Sequence, residues 1–194
     1  MRIITLAEAT DNESRLIRTF ITYPEVIVHI RKPTLSMEEL KMFIQGFTVQ
    51  ERKKLVVHSY QEQSLTWGLE RLHYPASSRP LSFTPRELEG YPRSTSVHDW
   101  ATFNSLPQAY QDAFISPLFP SISKQDYQAN EIIRDTGKRS NFRTNLIALG
   151  GIDQDNIESL KQHFEDVALC GSVWLSPNPL VSFKTCYKLW YNNL

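Results

Sequence analysis

Three histidines stand at the ends of short apolar runs: Val26-Ile27-Val28-His29, Leu55-Val56-Val57-His58 and Leu69-Glu70-Arg71-Leu72-His73. An imidazole can carry a proton near neutral pH or donate a lone pair to a metal. No HxH or HExxH pattern occurs, so spacing alone does not read as a zinc site. A lone His beside an apolar strand is usually a satisfied structural group. Three at neighbouring strand ends point to a functional role for at least one. Alternation puts Arg31 on the same face as His29, and an arginine on an interior face needs an anionic partner. Ser96-Val97-His98-Asp99 adds a hydroxyl and a fourth imidazole, with Asp99 read as a helix cap. The loop from Ser116 to Lys124 is rich in hydroxyls and ends on a cation, so it can wrap an anion. Gly150-Gly151 and Cys170-Gly171-Ser172 let backbone N–H groups approach a ligand with no Cβ in the way. Nothing near Cys170 activates its thiol, which reads as packing. The basic run Lys138–Arg143 precedes a strand and reads as solvated surface.

These residues need a scaffold that presents strand ends together. Eight β-rich runs are legible: Arg2–Leu6, Glu25–Ile30, Lys54–His58, Leu69–His73, Arg93–Val97, Ala113–Ile115, Asn145–Leu149 and Asp166–Leu169. Several are almost continuously apolar, as strands buried on both faces are. Helical signals lie between them. Ser36-Met37-Glu38-Glu39 is a capping box, followed by Leu40, Phe43, Ile44 and Phe47 at helical spacing. Leu16, Ile17 and Phe20 form a second stripe. Asp153 is predicted to cap a helix carrying Ile157, Leu160 and Phe164. The stretch Pro75–Pro92 is weakly helical around Pro85–Leu88, and a last helix is expected from Asn178, with Leu180, Phe183, Tyr187 and Trp190 inward. Strand ends recur about every 23 residues, room for one βα unit each, which favours an α/β fold, a compact (β/α)8 TIM barrel, over an open sheet. In such a barrel the loops after the strands build the site, and those after strands seven and eight commonly cradle phosphate.

Composition narrows the function. The 194 residues carry 21 basic and 21 acidic side chains, so the chain lacks the basic excess of a nucleic-acid coat. Hydrophobic residues make up 41% and charged residues 22%, which excludes disorder. At this length one domain, residues 1–194, is expected. Two cysteines, Cys170 and Cys186, exclude a disulfide scaffold and favour a reducing, cytoplasmic setting. No apolar run is long enough for a secretory signal or a membrane span, so no membrane partner is expected. A homodimer stays open beside a monomer.

The motifs together resemble the thiamine phosphate synthase / thiazole tautomerase superfamily over about Ile3 to Val173. The family's Gln-Leu-Arg-Glu-Lys after strand two is similar to His29-Ile30-Arg31-Lys32-Pro33. Its Ser-x-His is met by Ser96-Val97-His98, and its Gly-Pro-[IV]-Phe-x-[TS]-x-[TS]-Lys loop by Ser116-Pro117-Leu118-Phe119-Pro120-Ser121-Ile122-Ser123-Lys124. Its Ile-Gly-Gly-Ile resembles Leu149–Ile152, and its last strand resembles Val167–Val173. The resemblance implies a transferase of thiamine biosynthesis. Hydroxymethylpyrimidine diphosphate would lose pyrophosphate, and a thiazole phosphate nitrogen would attack the resulting cation. It assigns Arg31 and Lys124 to the diphosphate and Ser96 to the pyrimidine. It assigns Ser121, Ser123, Gly150, Gly151 and the Cys170–Gly171 backbone to the thiazole phosphate. His29, Lys32, His58, His73 and His98 complete the substrate-binding set, with Lys32 standing in for the motif lysine that aligns with Pro33.

The family's Mg²⁺ is the cofactor this implies. Its two carboxylates are replaced around His58-Ser59 and His73-Tyr74, although Mg²⁺ prefers oxygen ligands. Protonated histidines would be the substitute charge. The alternatives are a tautomerase-like enzyme, whose acid/base His falls on Pro117, and a non-catalytic barrel that binds phosphorylated ligands.

Overall fold

A computed structural model of the chain describes residues 1–84, 90–120 and 130–191. Eight strands form one parallel sheet: β1 (Arg2–Ile4), β2 (Ile27–Ile30), β3 (Leu55–Val57), β4 (Leu72–Tyr74), β5 (Arg93–Val97), β6 (Asp112–Ile115), β7 (Asn145–Leu149) and β8 (Asp166–Leu169). Their order is β3-β2-β1-β8-β7-β6-β5-β4. Every neighbouring pair is parallel, and β1 bonds β8. The sheet thus curls into a (β/α)8 barrel closed everywhere except between β3 and β4, which face each other with no ladder.

β5, β7 and β8 span the residues expected from the sequence; β6 begins one residue earlier, and the other strands are shorter or shifted by one to three residues. Helices α1 (Glu13–Ile21), α2 (Met37–Gln45), α3 (Val49–Arg52) and α4 (Gln61–Thr66) follow the first three strands. Next come α5 (Trp100–Asn104), α6 (Glu131–Arg134), α7 (Gly171–Trp174) and α8 (Pro179–Tyr191). The Ser36 capping box forms at the start of α2, and Asp99 caps α5 through Thr102 N at 2.7 Å.

Two expectations change. Asp153 caps no α-helix: that segment is a single 3₁₀ turn, Ile157–Leu160, and the Asp153 carboxylate accepts from Asp155 N. The Ile157–Leu160 stripe still packs inward, because two buried apolar side chains suffice to seat one turn. The basic run before β7 is not all solvated. Arg139 is buried on Glu165 and the Thr144 carbonyl and ties the loop to the barrel floor, whereas Phe142 and Arg143 are exposed. The weak helix expected at Pro85–Leu88 lies outside the described residues.

Strand side chains alternate between two cores. Ile3, Val28, Ile30, Leu55, Val57, Ala113, Ile115, Leu146, Ala148, Val167 and Leu169 face the helices. The interior set is mostly different in kind. At the floor, Arg2 bridges Asp112 at 3.0 Å and Asp166 at 2.9 Å. Above it lie Ile4, Phe114, Ile147 and Ala168 on one side. His29, His58 and His73 fill the other side. An ion pair at the base of a narrow barrel is satisfied only as a set, so the arginine and both carboxylates specify one another.

Candidate functional site

The strands' C-terminal ends open into a cavity of about 460 Å³. It is lined from β2–β4 by Arg31, Lys32, His58, Ser59 and His73, and from β5–β6 by Ser96, His98, Phe114 and Ser116. The loops after β7 and β8 contribute Gly150, Gly151, Cys170, Gly171 and Ser172. Among the described residues no carboxylate lines it. His29 lies just beneath, 2% exposed, with its ring edge-on to Phe114 at 4.9 Å. Ser121, Ser123 and Lys124 lie outside the described residues.

Arg31 follows β2. Its backbone is fixed by Thr5, whose buried hydroxyl accepts from Arg31 N at 2.9 Å. Among the described residues its half-buried guanidinium meets no hydrogen-bond or ion-pair partner. Among the described residues, then, no carboxylate serves as the expected anionic partner. Lys32 differs. Its ammonium donates to Glu13 at 2.7 Å and to the Leu6 and Glu8 carbonyls at 3.0 and 2.8 Å. Both side chains of that ion pair are at most 5% exposed. Burial holds the Glu13 carboxyl above its usual range against the pull of Lys32. Lys32 thus anchors α1 under the mouth, and its charge is spent there.

The three histidines converge. His29 Nδ1 and His58 Nε2 share a hydrogen bond of 3.1 Å, and the His58 and His73 rings stack at 4.0 Å. Ser94 Oγ donates its single proton to the Leu72 carbonyl, so it accepts from His73 Nδ1–H at 2.9 Å. That leaves the lone pair of His73 on Nε2, 3.3 Å from Ser96 Oγ. Burial pushes the His73 imidazole down to about 3. Burial first, and then the neighbouring His73, hold His29 and His58 well below the usual histidine range. All three are neutral at pH 7, which corrects the reading of protonated histidines as substitute charge. His98 stands apart at the exposed rim and donates from Nδ1 to the Ser116 carbonyl at 2.9 Å.

Gly150 and Gly151 both have positive φ, 105° and 63°. A Cβ on Gly151 would lie 2.3 Å from the Pro120 carbonyl oxygen, and one on Gly150 would lie 2.8 Å from Pro117 Cα. Their first role is to let the β6 loop fold over the end of β7, where Leu118 N and Phe119 N bond the Leu149 and Gly150 carbonyls. Cys170 packs against Thr5, and Gly171 begins α7.

Sequence reasoning missed Ser94 and Phe114. Both were findable: Ser94 is two residues before Ser96 on one strand, hence on the same interior face, and Phe114 likewise precedes Ser116.

Solved structures place this architecture. Thiamine phosphate pyrophosphorylase from Bacteroides thetaiotaomicron superposes with a TM-score of 0.73 at 22% identity, over 97% of this chain and 96% of that one. Its Pyrococcus furiosus namesake gives 0.80 at 14% identity, over 100% and 96%. The chain shares their fold. So does 3-hexulose-6-phosphate synthase from Salmonella typhimurium, with a TM-score of 0.71 at 13% identity over 100% and 99%. No family model and no curated protein sequence matches the chain. At these identities the barrel itself is what is shared. No helix among the described residues is long and apolar enough to cross a membrane.

The Mg²⁺ of the resembled family can be tested against this donor set. Mg²⁺ takes near-octahedral oxygen ligands and usually one or two carboxylates. The mouth offers imidazoles, hydroxyls and carbonyls, and no carboxylate among the described residues. The residues present do not fit Mg²⁺.

Proposed function

We propose that this barrel binds phosphorylated small molecules and carries out a thiamine phosphate synthase-type transfer. The observation that carries the reading is the cavity's one-sided electrostatics. A guanidinium with no acceptor among the described residues, backbone N–H groups of glycine loops and no carboxylate among the described lining together favour an anion. The resemblance of the Ser116–Lys124 loop and the likeness to two thiamine phosphate pyrophosphorylases supply the substrate class.

In this reading the bond from the pyrimidine methylene carbon to the diphosphate oxygen breaks, and both electrons leave with pyrophosphate. The thiazole nitrogen then donates its lone pair to that carbon. Charge grows on the departing diphosphate, so fixed donors aimed at it lower the barrier most. Arg31 serves that end together with Lys124. Ser96 sits where the pyrimidine ring enters. Gly151 and the Cys170–Gly171 backbone hold the thiazole phosphate with Ser121 and Ser123. The histidines act as neutral walls and hydrogen-bonding groups.

The test incubates purified protein with hydroxymethylpyrimidine diphosphate and thiazole phosphate and measures pyrophosphate. Turnover that falls at least about 100-fold in Arg31→Ala supports the reading, since a charged hydrogen bond to the leaving group is removed. Turnover unchanged in Arg31→Ala would sink it. The missing carboxylates favour a second reading, a non-catalytic binder of such ligands. Calorimetric binding of both compounds with no pyrophosphate released would select it, and binding of neither would remove both readings.

A further inference from the structure

We propose that His29, His58 and His73 form a binding site for a late transition-metal ion, Zn²⁺ foremost, inside the barrel below the cavity. One ligand nitrogen from each lies within 4.8 Å of the other two. Three neighbouring strands deliver them: His29 from β2, His58 just past β3 and His73 from β4. Spacing rules miss such a site because its ligands are 29 and 15 residues apart and meet only through barrel curvature.

The chemistry of the donors selects the metal. Imidazole suits Zn²⁺, Cu²⁺ and Ni²⁺, whereas Mg²⁺ and Ca²⁺ want oxygen. A ligating imidazole must be neutral, and burial already keeps all three so. Tetrahedral ligands about 2.1 Å from zinc lie about 3.3 Å from one another. His29 Nδ1 and His58 Nε2 are already 3.1 Å apart. The remaining ligand nitrogens, up to 4.8 Å apart, must close by at most roughly 1.5 Å to complete the set. His58 can move, being half-buried and beyond the end of its strand.

A second layer is in place as well. Metal-bound histidines commonly donate their other N–H to a fixed acceptor, which sets the tautomer. Ser94 does this for His73, leaving Nε2 as the donor. Three protein ligands with a fourth position open to a cavity is the pattern of a reactive zinc rather than a structural one. Here His58 and His73 line the cavity, so the fourth ligand comes from it. Among the described residues no carboxylate balances the dication there, so an anionic oxygen, hydroxide or phosphate, is the ligand the site would take.

The experiment adds Zn²⁺ or Co²⁺ to the chelator-stripped full chain without substrate, so its outcome is independent of the reaction assigned above. About one equivalent of Zn²⁺ should be retained after dialysis. Co²⁺ should develop the intense visible absorption of a low-coordinate nitrogen site, with Zn²⁺ displacing it and excess Mg²⁺ leaving it. His58→Gln and His73→Asn should each weaken binding at least about 100-fold, and Ser94→Ala about 10-fold, as outer-layer losses do. His163→Gln, remote and exposed, should bind like wild type. His58 is the most peripheral of the three, and circular dichroism of His58→Gln confirms that its fold persists. Less than about a tenth of an equivalent retained, a Co²⁺ spectrum of octahedral water ligation, or equal binding by wild type and His58→Gln would each overturn the site.

Discussion

Glu13 and Lys32 illustrate how a single buried pair decides what a residue can do. A lysine beside an arginine at a barrel mouth reads as a second anion-binding cation. The structure instead spends it on a carboxylate and two carbonyls. Lys32→Met would leave Glu13 buried with no counter-charge. It should lower unfolding stability by about 3 to 5 kcal/mol in urea titration, and the double variant Glu13→Gln/Lys32→Met should recover part of that loss. Equal stability of Lys32→Met and wild type would show that the pair is not what fixes α1 to the mouth. The histidines give a pH prediction. Their folded values are depressed, that of His73 to about 3, so below pH 6.5 the unfolded chain binds more protons than the native one. Stability is complete above about pH 6.5 and falls as the solution is acidified. The slope reaches up to about 1.4 kcal/mol per pH unit for each histidine. Chelator-treated protein should show this in urea midpoints between pH 7 and pH 4, and His58→Gln should show a shallower slope. A midpoint flat across that range would contradict the burial of these rings. The sequence placed the histidines at strand ends. It could not show that they touch, because contact is set by barrel curvature and not by chain spacing.

Strands and loops were legible where the local pattern was unambiguous. Asn145–Leu149 and Asp166–Leu169 are apolar runs bounded by polar residues, and both form as read. β4 starts three residues later than read and ends one later, since Tyr74 is buried against Tyr110 rather than turning out with the loop. The α-helix expected after Asp153 shrinks to one turn, because α8 packs over that stretch and leaves little room. The double glycine was read as an opening for a ligand, yet its tightest contacts are with the preceding loop. Gly151→Ala therefore tests the element and not only the ligand. Strain at φ 63° and the clash with Pro120 should cost at least about 2 kcal/mol and push the β6 loop outward. Thermal unfolding and ligand calorimetry should both report the change. A variant as stable as wild type would mean the loop is free to move away.

At the scale of the whole barrel, the interior is stacked by chemistry: an ion-paired floor, a middle of imidazole and aromatic rings, and a mouth lined by Arg31, hydroxyls and glycine loops. The circumference is bonded all round except at β3–β4. Amides on those two edges lack ladder partners, so hydrogen exchange should be faster there than in β6 and β7, which are paired on both sides. Equal protection of β3, β4 and β7 would contradict the open seam. A barrel with one joint lacking a ladder is a split ring held there by side chains: Gln61 Nε2 donates to the His58 and His73 carbonyls at 3.1 and 3.0 Å. His58 and His73 stand on the two lips of the split. Anything that grips both, ion or ligand, would add a second clasp to the one Gln61 already makes.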